Sequence, residues 1–257
     1  MTSLTIRNVF HLALRQTEGF VTSLIRVMGL DLMTPDHTTL SRRNRNNEVP
    51  RLAAAHDAPI HLVVDSTGLK MLGDGEWNAH KHKTANRRRS WRKLHLGIDG
   101  NGFIIASELT DSSVDDASVG VTMIEQVEPA IIRFTADGAY DTRGMYVALT
   151  ASGAAHIKIV IPPMKTAAVD PRAMGPWCQR NDAIERIAEV GRRQWRKDSG
   201  AHQQARAENG MYRYKRIIGD CLRAKQFEAQ RREALIAVSA INRMTALGMP
   251  ESVKVAA

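Results

Sequence analysis

The sequence predicts an α/β protein in which a mixed β-sheet is flanked by helices and preceded by a small helical region. Three observations indicate this class. Apolar residues recur every three to four positions as far as about residue 48, which is the period of an amphipathic helix. Short apolar runs bounded by turn residues alternate with helical patterns between Pro59 and Pro163. Helical periodicity then returns from about Gln203 to Ile241.

The first 48 residues are expected to form three short helices. The third follows Pro35 and is polar and basic, with Arg42 and Arg43 among its residues. Three short helices that end in a basic helix are similar to a helix-turn-helix module, whose final helix enters the major groove of DNA. A small helical bundle with a solvated basic helix explains the same pattern equally well. Both interpretations stay open at this point.

The middle of the chain is expected to supply the sheet. Its predicted order is strand, strand, strand, helix, strand, helix, strand, over residues 60–64, 94–98, 103–109, 119–127, 131–136, 142–151 and 157–161. The first strand is expected to end at Asp65, and a strong turn signal, Asp-Gly-Asn-Gly at 99–102, joins the next two strands. This order predicts a mixed sheet with helical cover. Residues 164–202 are interpreted as a connector with one helix around 182–194.

Composition limits the class of protein. The chain has 257 residues and a formal net charge of +9, and this excess indicates a polyanionic partner. Its two cysteines, Cys178 and Cys221, form neither a disulfide framework nor a zinc site and fit a reducing compartment. No apolar stretch approaches the roughly 20 residues that a membrane span requires, and no signal peptide is recognisable. We therefore expect a cytoplasmic protein with no membrane partner.

Acidic residues lie where a catalytic site is expected. Asp65 and Asp137 each follow a predicted buried strand, and adjacent strands would bring them together at one edge of the sheet. Two close carboxylates repel each other unless a cation or a shared proton lies between them, which favours a hard divalent metal. Glu208 is the best placed third acid. Tyr212 and Lys215 follow it by four and seven residues on nearly the same helical face.

Such a set of acids is typical of phosphoryl transfer on a DNA backbone. Two divalent ions roughly 3.5 to 4 Å apart can activate an attacking hydroxyl and stabilise the leaving oxygen. Magnesium is expected because it prefers oxygen ligands and keeps substrate phosphates in its shell, and manganese is an alternative. Taken singly, each aspartate could equally be a turn residue, and the helix could be an ordinary solvated one.

A basic segment supports a nucleic-acid substrate. Between Glu76 and Asp99 there is no acid, and the segment carries cations and a tryptophan that we expect to contact DNA. These candidates are Lys81, Lys83, Arg87, Arg88, Arg89, Trp91, Arg92 and Lys93. The alternative interpretation is a solvated loop.

Seven stretches in order along the chain carry a family resemblance. They are LRQTEGF (14–20), PDHTTLSRR (35–43), VDSTGLK (64–70), WRKLHLGID (91–99), ADGAYD (136–141), RND (180–182) and ENGMYRYKRIIG (208–219). In these stretches the sequence resembles the DDE transposases of bacterial insertion sequences, which have a ribonuclease H-like catalytic core.

The resemblance implies a function and a set of roles. Asp65, Asp137 and Glu208 would be the three catalytic, magnesium-binding acids that cut and join DNA at the ends of an insertion sequence. Residues 1–48 would be the DNA-binding region, 59–163 the first part of the catalytic domain, 164–202 an insertion, and 203–247 the last catalytic helix with the C-terminal helices. The expected partners are double-stranded DNA, namely the terminal inverted repeats and the target, and a second copy of the chain in a nucleoid-associated homodimer.

One departure from the family keeps an alternative open. Many members carry a Tyr-Arg-Glu-Lys signature, in which Glu208 and Lys215 keep their spacing but the first two places hold Ala201 and Gln204. The alternative is therefore a catalytically impaired transposase remnant that only binds DNA, and a ribonuclease H-like nuclease that does not join strands is a third possibility. Should Glu208 not join the other acids, the candidates to replace it are Asp99, Asp141 and Glu185.

Overall fold

The core of the computed structural model, which describes residues 1–46, 52, 58–71, 91–151 and 156–248, is a six-stranded mixed sheet. Its strands are β1 (Ile60–Met71), β2 (Trp91–Ile98), β3 (Ile104–Asp111), β4 (Ile131–Thr135), β5 (Lys158–Val160) and β6 (Cys221–Leu222). The main order is β3-β2-β1-β4-β5, with β2 antiparallel to its neighbours and β4 parallel to its own. The predicted α/β class with a mixed sheet is confirmed.

Helices cover both faces of the sheet. They are α1 (Thr2–Val9), α2 (Leu14–Val27), α3 (His37–Asn46), α4 (Asp116–Glu125), α5 (Arg143–Ala151), α6 (Cys178–Ser199), α7 (Ala205–Ile217) and α8 (Phe227–Leu247). One apolar core lies between the sheet and α4 with α5, and a second lies between the sheet and α7 with α8. None of the helices in the described ranges has the length and apolar character that crossing a membrane requires.

The alternation of side chains along β1 decides which face receives Asp65. Leu62 and Val64 are fully buried in the core beneath α4 and α5. Residues directly opposite each other on paired strands share a face, and Asp65 is opposite Leu96, which belongs to the core beneath α7 and α8. Asp65 therefore lies on the face that α7 covers.

Strand β1 is longer than the sequence predicted. It does not end at Asp65 but continues to Met71, because its second half pairs with β2 as far as Trp91. The two-residue strand β6, which was not predicted, pairs with Lys70 and Met71 at the end of β1. Asp65 thus lies inside a strand whose residues pair with β2 both before and after it along the chain, instead of at a free strand end.

The N-terminal helices pack against the last helix of the chain. Leu4 of α1 and Leu40 of α3 form a small buried cluster with Ile236 of α8. The Asn8 side-chain amide donates a hydrogen bond of 3.1 Å to the Glu233 carbonyl oxygen. Helix α3 starts as predicted after Pro35, since the Asp36 carboxylate accepts hydrogen bonds from Thr39 N and the Thr38 hydroxyl.

Helix α6 is longer than the predicted 182–194 helix and is sharply bent at Gly191. Gly191 has φ 79° and ψ 157°, a conformation that only glycine adopts readily. The guanidinium of Arg186 lies 3.2 Å from the carboxylate of Asp198, although 12 residues of straight helix would separate them by about 18 Å. The helix is therefore a hairpin of two arms, which we call the first arm (178–190) and the second arm (192–199).

Helix α7 approaches the sheet closely through small residues. Ala207 is fully buried, and a Cβ built on Gly210 would overlap the Cδ1 atom of Ile98, which is itself buried in β2. We expect Gly210→Ala to lower the free energy of unfolding by about 1 to 3 kcal/mol, the usual cost of overpacking a core. Denaturant unfolding checks this. Gly144→Ala, at a helical glycine with open space around it, is the matched control and should leave stability unchanged or slightly higher.

Candidate active site

Asp65 is half-buried on the α7 face of the sheet, with its carboxylate held by the backbone. The Asp65 Oδ1 atom accepts a hydrogen bond of 2.8 Å from the amide of Ser66. Strand β1 has β2 as one neighbour and β4 as the other, and β4 runs parallel to β1. The residues that follow β4 therefore emerge at the edge of the sheet toward which β1 carries Asp65.

Asp137 lies at that edge, two residues after the last residue of β4. It begins a short 3-10 turn, Gly138–Tyr140, and its Oδ1 atom accepts a hydrogen bond of 2.9 Å from the amide of Ala139. This contact fixes the carboxylate beside the turn while leaving it open to solvent. The structure places Asp137 as predicted, after a buried strand that is adjacent to the strand of Asp65.

Glu208 lies in the first turn of α7 on the exposed side of the helix. The opposite side, with Ala207, Gly210 and Met211, packs against the sheet. Tyr212 and Lys215 are exposed, as their spacing from Glu208 predicts for one face of a helix.

The negative charges of Asp137 and Glu208 act on Asp65. Burial, together with the charges of Asp137 and Glu208, raises the pKa of Asp65 to about 6, against the lowering effect of the Ser66 amide. Asp137 is exposed as a residue, but partial burial of its carboxyl raises the pKa as well. The charge of Asp116 adds to this effect, and the Ala139 amide opposes it. The ionised form of Asp65 is therefore disfavoured mainly by burial and further by the charges of its two predicted partners.

The three acids do not yet form a metal-binding cluster. Across the described part of the chain, no three His, Cys, Asp or Glu side chains converge tightly enough to hold a metal ion as they stand. Mutual repulsion explains such spacing, because carboxylates without a cation between them separate when they can.

The two residues at the altered signature places lie in the turn that leads into α7. Gln204 donates a hydrogen bond of 3.0 Å from its side-chain amide to the carbonyl of Val64, and its amide also interacts with the carboxylate of Asp65, which lowers the pKa of that acid. Ala201 is buried against Val160 and Trp195. A neutral amide thus contacts the strand that carries the first acid.

A fourth acid near the site was not predicted from the sequence. Asp116, at the start of α4, accepts hydrogen bonds from the Ser66 hydroxyl at 3.1 Å and from Lys93 Nζ at 2.9 Å. The buried ring of His95 has its Nδ1 atom 3.9 Å from the same carboxylate. The only local signal was the Asp115-Asp116 pair at a helix start, where Asp115 is the ordinary N-cap through its contact with Ser118 N.

The predicted basic segment is only partly described. Lys81, Lys83, Arg87, Arg88 and Arg89 lie outside the described residues. Trp91 is 42% exposed, with its ring over Gly68.

Arg92 and Lys93 have partners within the chain. Arg92 pairs with Asp111 and lies over the ring of Phe227, and Lys93 pairs with Asp116. Both side chains are only 18% exposed. Arg42 and Arg43 on α3, by contrast, are exposed.

The acids considered as replacements for Glu208 have other surroundings. Asp99 holds the β2–β3 turn by accepting hydrogen bonds from the amides of Asn101 and Phe103. Asp141 forms an ion pair with Arg180 at 2.9 Å, and Glu185 lies exposed on the first arm of α6. Asp99 and Asp141 are thus engaged in structural contacts of their own.

Comparison with known families gives two matches that together span most of the chain. Residues 1–74 match a family model described as "Transposase DDE domain", and residues 56–243 match a second model with the same description. The second match covers more than half of the chain and contains Asp65, Asp137 and Glu208.

The raised pKa of Asp65 has a consequence for stability. Its folded-state pKa of about 6 lies above the ordinary value of 3.8, so the unfolded chain loses this proton first as pH rises. The carboxyl therefore destabilises the fold above pH 6 and has no effect below about pH 4. In metal-free buffer we expect Asp65→Asn to be more stable than the unaltered chain at pH 8 by roughly 1 to 2 kcal/mol, a value reduced for partial exposure.

Denaturant unfolding at several pH values measures this difference. The gain from Asp65→Asn should shrink steadily between pH 6 and pH 4, because both folded and unfolded wild-type carboxyls become protonated there. An equal gain at pH 4 and pH 8 would contradict the electrostatic explanation.

Proposed function

The chain belongs to the transposase DDE domain family, whose members are metal-dependent DNA phosphoryl transferases, and we propose that it cuts and joins DNA at the ends of its own insertion sequence. The catalytic acids in this proposal are Asp65, Asp137 and Glu208. The observation that carries it is the placement of the acids: Asp65 is half-buried on the sheet face that α7 covers, and the charges of Asp137 and Glu208 add to burial in raising its pKa. A cation held among them would relieve that repulsion.

The residues fit a hard divalent cation. All three offer carboxylate oxygens, which Mg²⁺ and Mn²⁺ prefer, and the site includes no cysteine ligand that would favour a softer metal. Asp65, Asp137 and Glu208 would hold the ions, and we propose Mg²⁺, two per site. When bound, such a pair supplies activation of the attacking hydroxyl and stabilisation of the leaving oxygen.

Other groups of the chain would orient the acids and the DNA. The Ser66 and Ala139 amides fix one oxygen each of Asp65 and Asp137, which reduces the rearrangement needed before the reaction. Tyr212 and Lys215 project from the same helix as Glu208, where an aromatic ring and an ammonium suit a base and a phosphate.

Binding of the terminal inverted repeats is assigned in this proposal to residues 1–48 and to the basic segment. The exposed Arg42 and Arg43 on α3 support a contact with DNA phosphates. The predicted boundaries 59–163, 164–202 and 203–247 describe the catalytic part, and the active form would be a homodimer on double-stranded DNA, with the target DNA as second substrate.

One observation favours a second candidate function, that of an impaired remnant that binds DNA without cutting it. At the two altered signature places, Ala201 is buried in an apolar cluster and Gln204 supplies a neutral amide where a guanidinium is usual for the family. The site therefore has one fewer positive charge close to the scissile phosphate.

Cleavage of labelled element ends in Mg²⁺ tests the proposal. We expect Asp65→Asn, Asp137→Asn and Glu208→Gln each to reduce strand cleavage by roughly a hundredfold or more, because each removes charge from the reacting centre. Glu125→Gln, an exposed acid at the end of α4, is the matched control and should cleave normally.

The outcomes separate the candidates. Cleavage undiminished by Asp137→Asn would remove Asp137 from the mechanism. Specific binding of the ends by the folded, unaltered chain without any cleavage would select the remnant. Cleavage without strand joining in a strand-transfer assay would indicate a nuclease instead.

A further inference from the structure

The second arm of α6 carries a surface of unpaired positive charge. Arg193, Arg196 and Lys197 are all exposed, and their spacing of three and four residues places them on one side of a helix. None of them forms an ion pair with any residue in the described ranges. We call these three residues the arm surface.

The acids nearest to this surface in sequence are already engaged. Asp198, the one acid of the second arm, accepts hydrogen bonds from Arg186 at 3.2 Å and from the Gln194 amide at 2.7 Å. Arg186 also pairs with Glu189 at 3.0 Å. These two acids thus neutralise Arg186, and the cations of the arm surface have no acidic partner within the described ranges.

The second arm is fixed beside the catalytic face. Trp195 is buried against Val160 of β5 and Ala201, and the guanidinium of Arg133 on β4 donates a hydrogen bond of 2.8 Å to the carbonyl of Ser199. Residues 201–204 follow directly and end at Gln204, which contacts the strand of Asp65. The arm surface is therefore anchored to the same sheet edge as the candidate acids.

We propose that the arm surface binds the phosphate backbone of double-stranded DNA next to the cleaved position. The inference rests on the proposed function, which supplies DNA as the polyanion. A duplex in the active site extends beyond the reacting phosphate, so the protein surface beside the site meets further phosphates. Exposed cations without acidic partners on an anchored helix are suited to that contact, which fixes position and reads no sequence.

The test is the salt dependence of binding to random-sequence duplex DNA, measured in EDTA so that no cleavage occurs. A plot of the logarithm of the binding constant against the logarithm of salt concentration has a negative slope. The triple variant Arg193→Gln, Arg196→Gln, Lys197→Gln should make this slope shallower by roughly 2 to 3, because each lost phosphate contact accounts for about 0.9. Lys158→Gln, at an exposed cation that begins β5 and lies outside the hairpin, is the matched control. Its slope should not change.

The outcomes distinguish this inference from the proposed function. An unchanged slope in the folded triple variant overturns the arm surface, whether or not the unaltered chain cleaves DNA. A reduced slope together with no cleavage by the unaltered chain would support the arm surface and contradict the transposase reaction. If the triple variant does not fold by circular dichroism, the three single variants replace it, and each should reduce the slope by about 0.9.

Discussion

The close approach of α7 to β2 is the contact on which the arrangement of the site depends. Because Ala207 and Gly210 present almost no side chain toward the sheet, the helix axis lies near the backbone of β2 and above Asp65. Glu208 is adjacent in sequence to Ala207 and takes its position from it. A larger residue at either small position would lift the helix and carry Glu208 away from the strand, so the distance between two acids is set by packing on the other side of the helix.

The charge around the acids depends on which neighbouring side chains already form ion pairs or hydrogen bonds with other residues. Lys93 forms an ion pair with Asp116, which also accepts a hydrogen bond from the Ser66 hydroxyl. Among the residues that the structure describes, the donors to Asp65 and Asp137 are backbone amides and the amide of Gln204. The local field is consequently negative at the acids, in a chain whose net charge is positive. The proposed function requires this contrast, because it combines a polyanionic substrate with cations held by the acids.

Much of this arrangement could be predicted from local patterns, since strand and helix periodicities depend on near neighbours. The α/β class, the position of Asp137 after a buried strand and the helix that carries Glu208 belong to this group, although the catalytic roles of the acids stay predictions. Asp116 could not be found in this way, because its partners Ser66 and Lys93 are 50 and 23 residues distant.

Other differences have equally physical causes. Strand β1 passes Asp65 because β2 pairs with its polar second half, which by itself has the composition of a turn. Strand β6 has two residues, too few for any period to be recognised. The sharp bend at Gly191 exists because tertiary contacts between the two arms of α6 select it from the many conformations that glycine allows.

The packing of α1 and α3 against α8 has a consequence for how the newly made chain folds. The apolar side chains of Leu4 and Leu40 find their partner Ile236 almost at the other end of the sequence. A ribosome makes the chain in the N-to-C direction at roughly 5 to 20 residues per second, so α1 and α3 are made well before α8 emerges. Helices α1 and α3 are thus completed only after α8 has been made, and the apolar side chains of Leu4 and Leu40 stay exposed in the meantime.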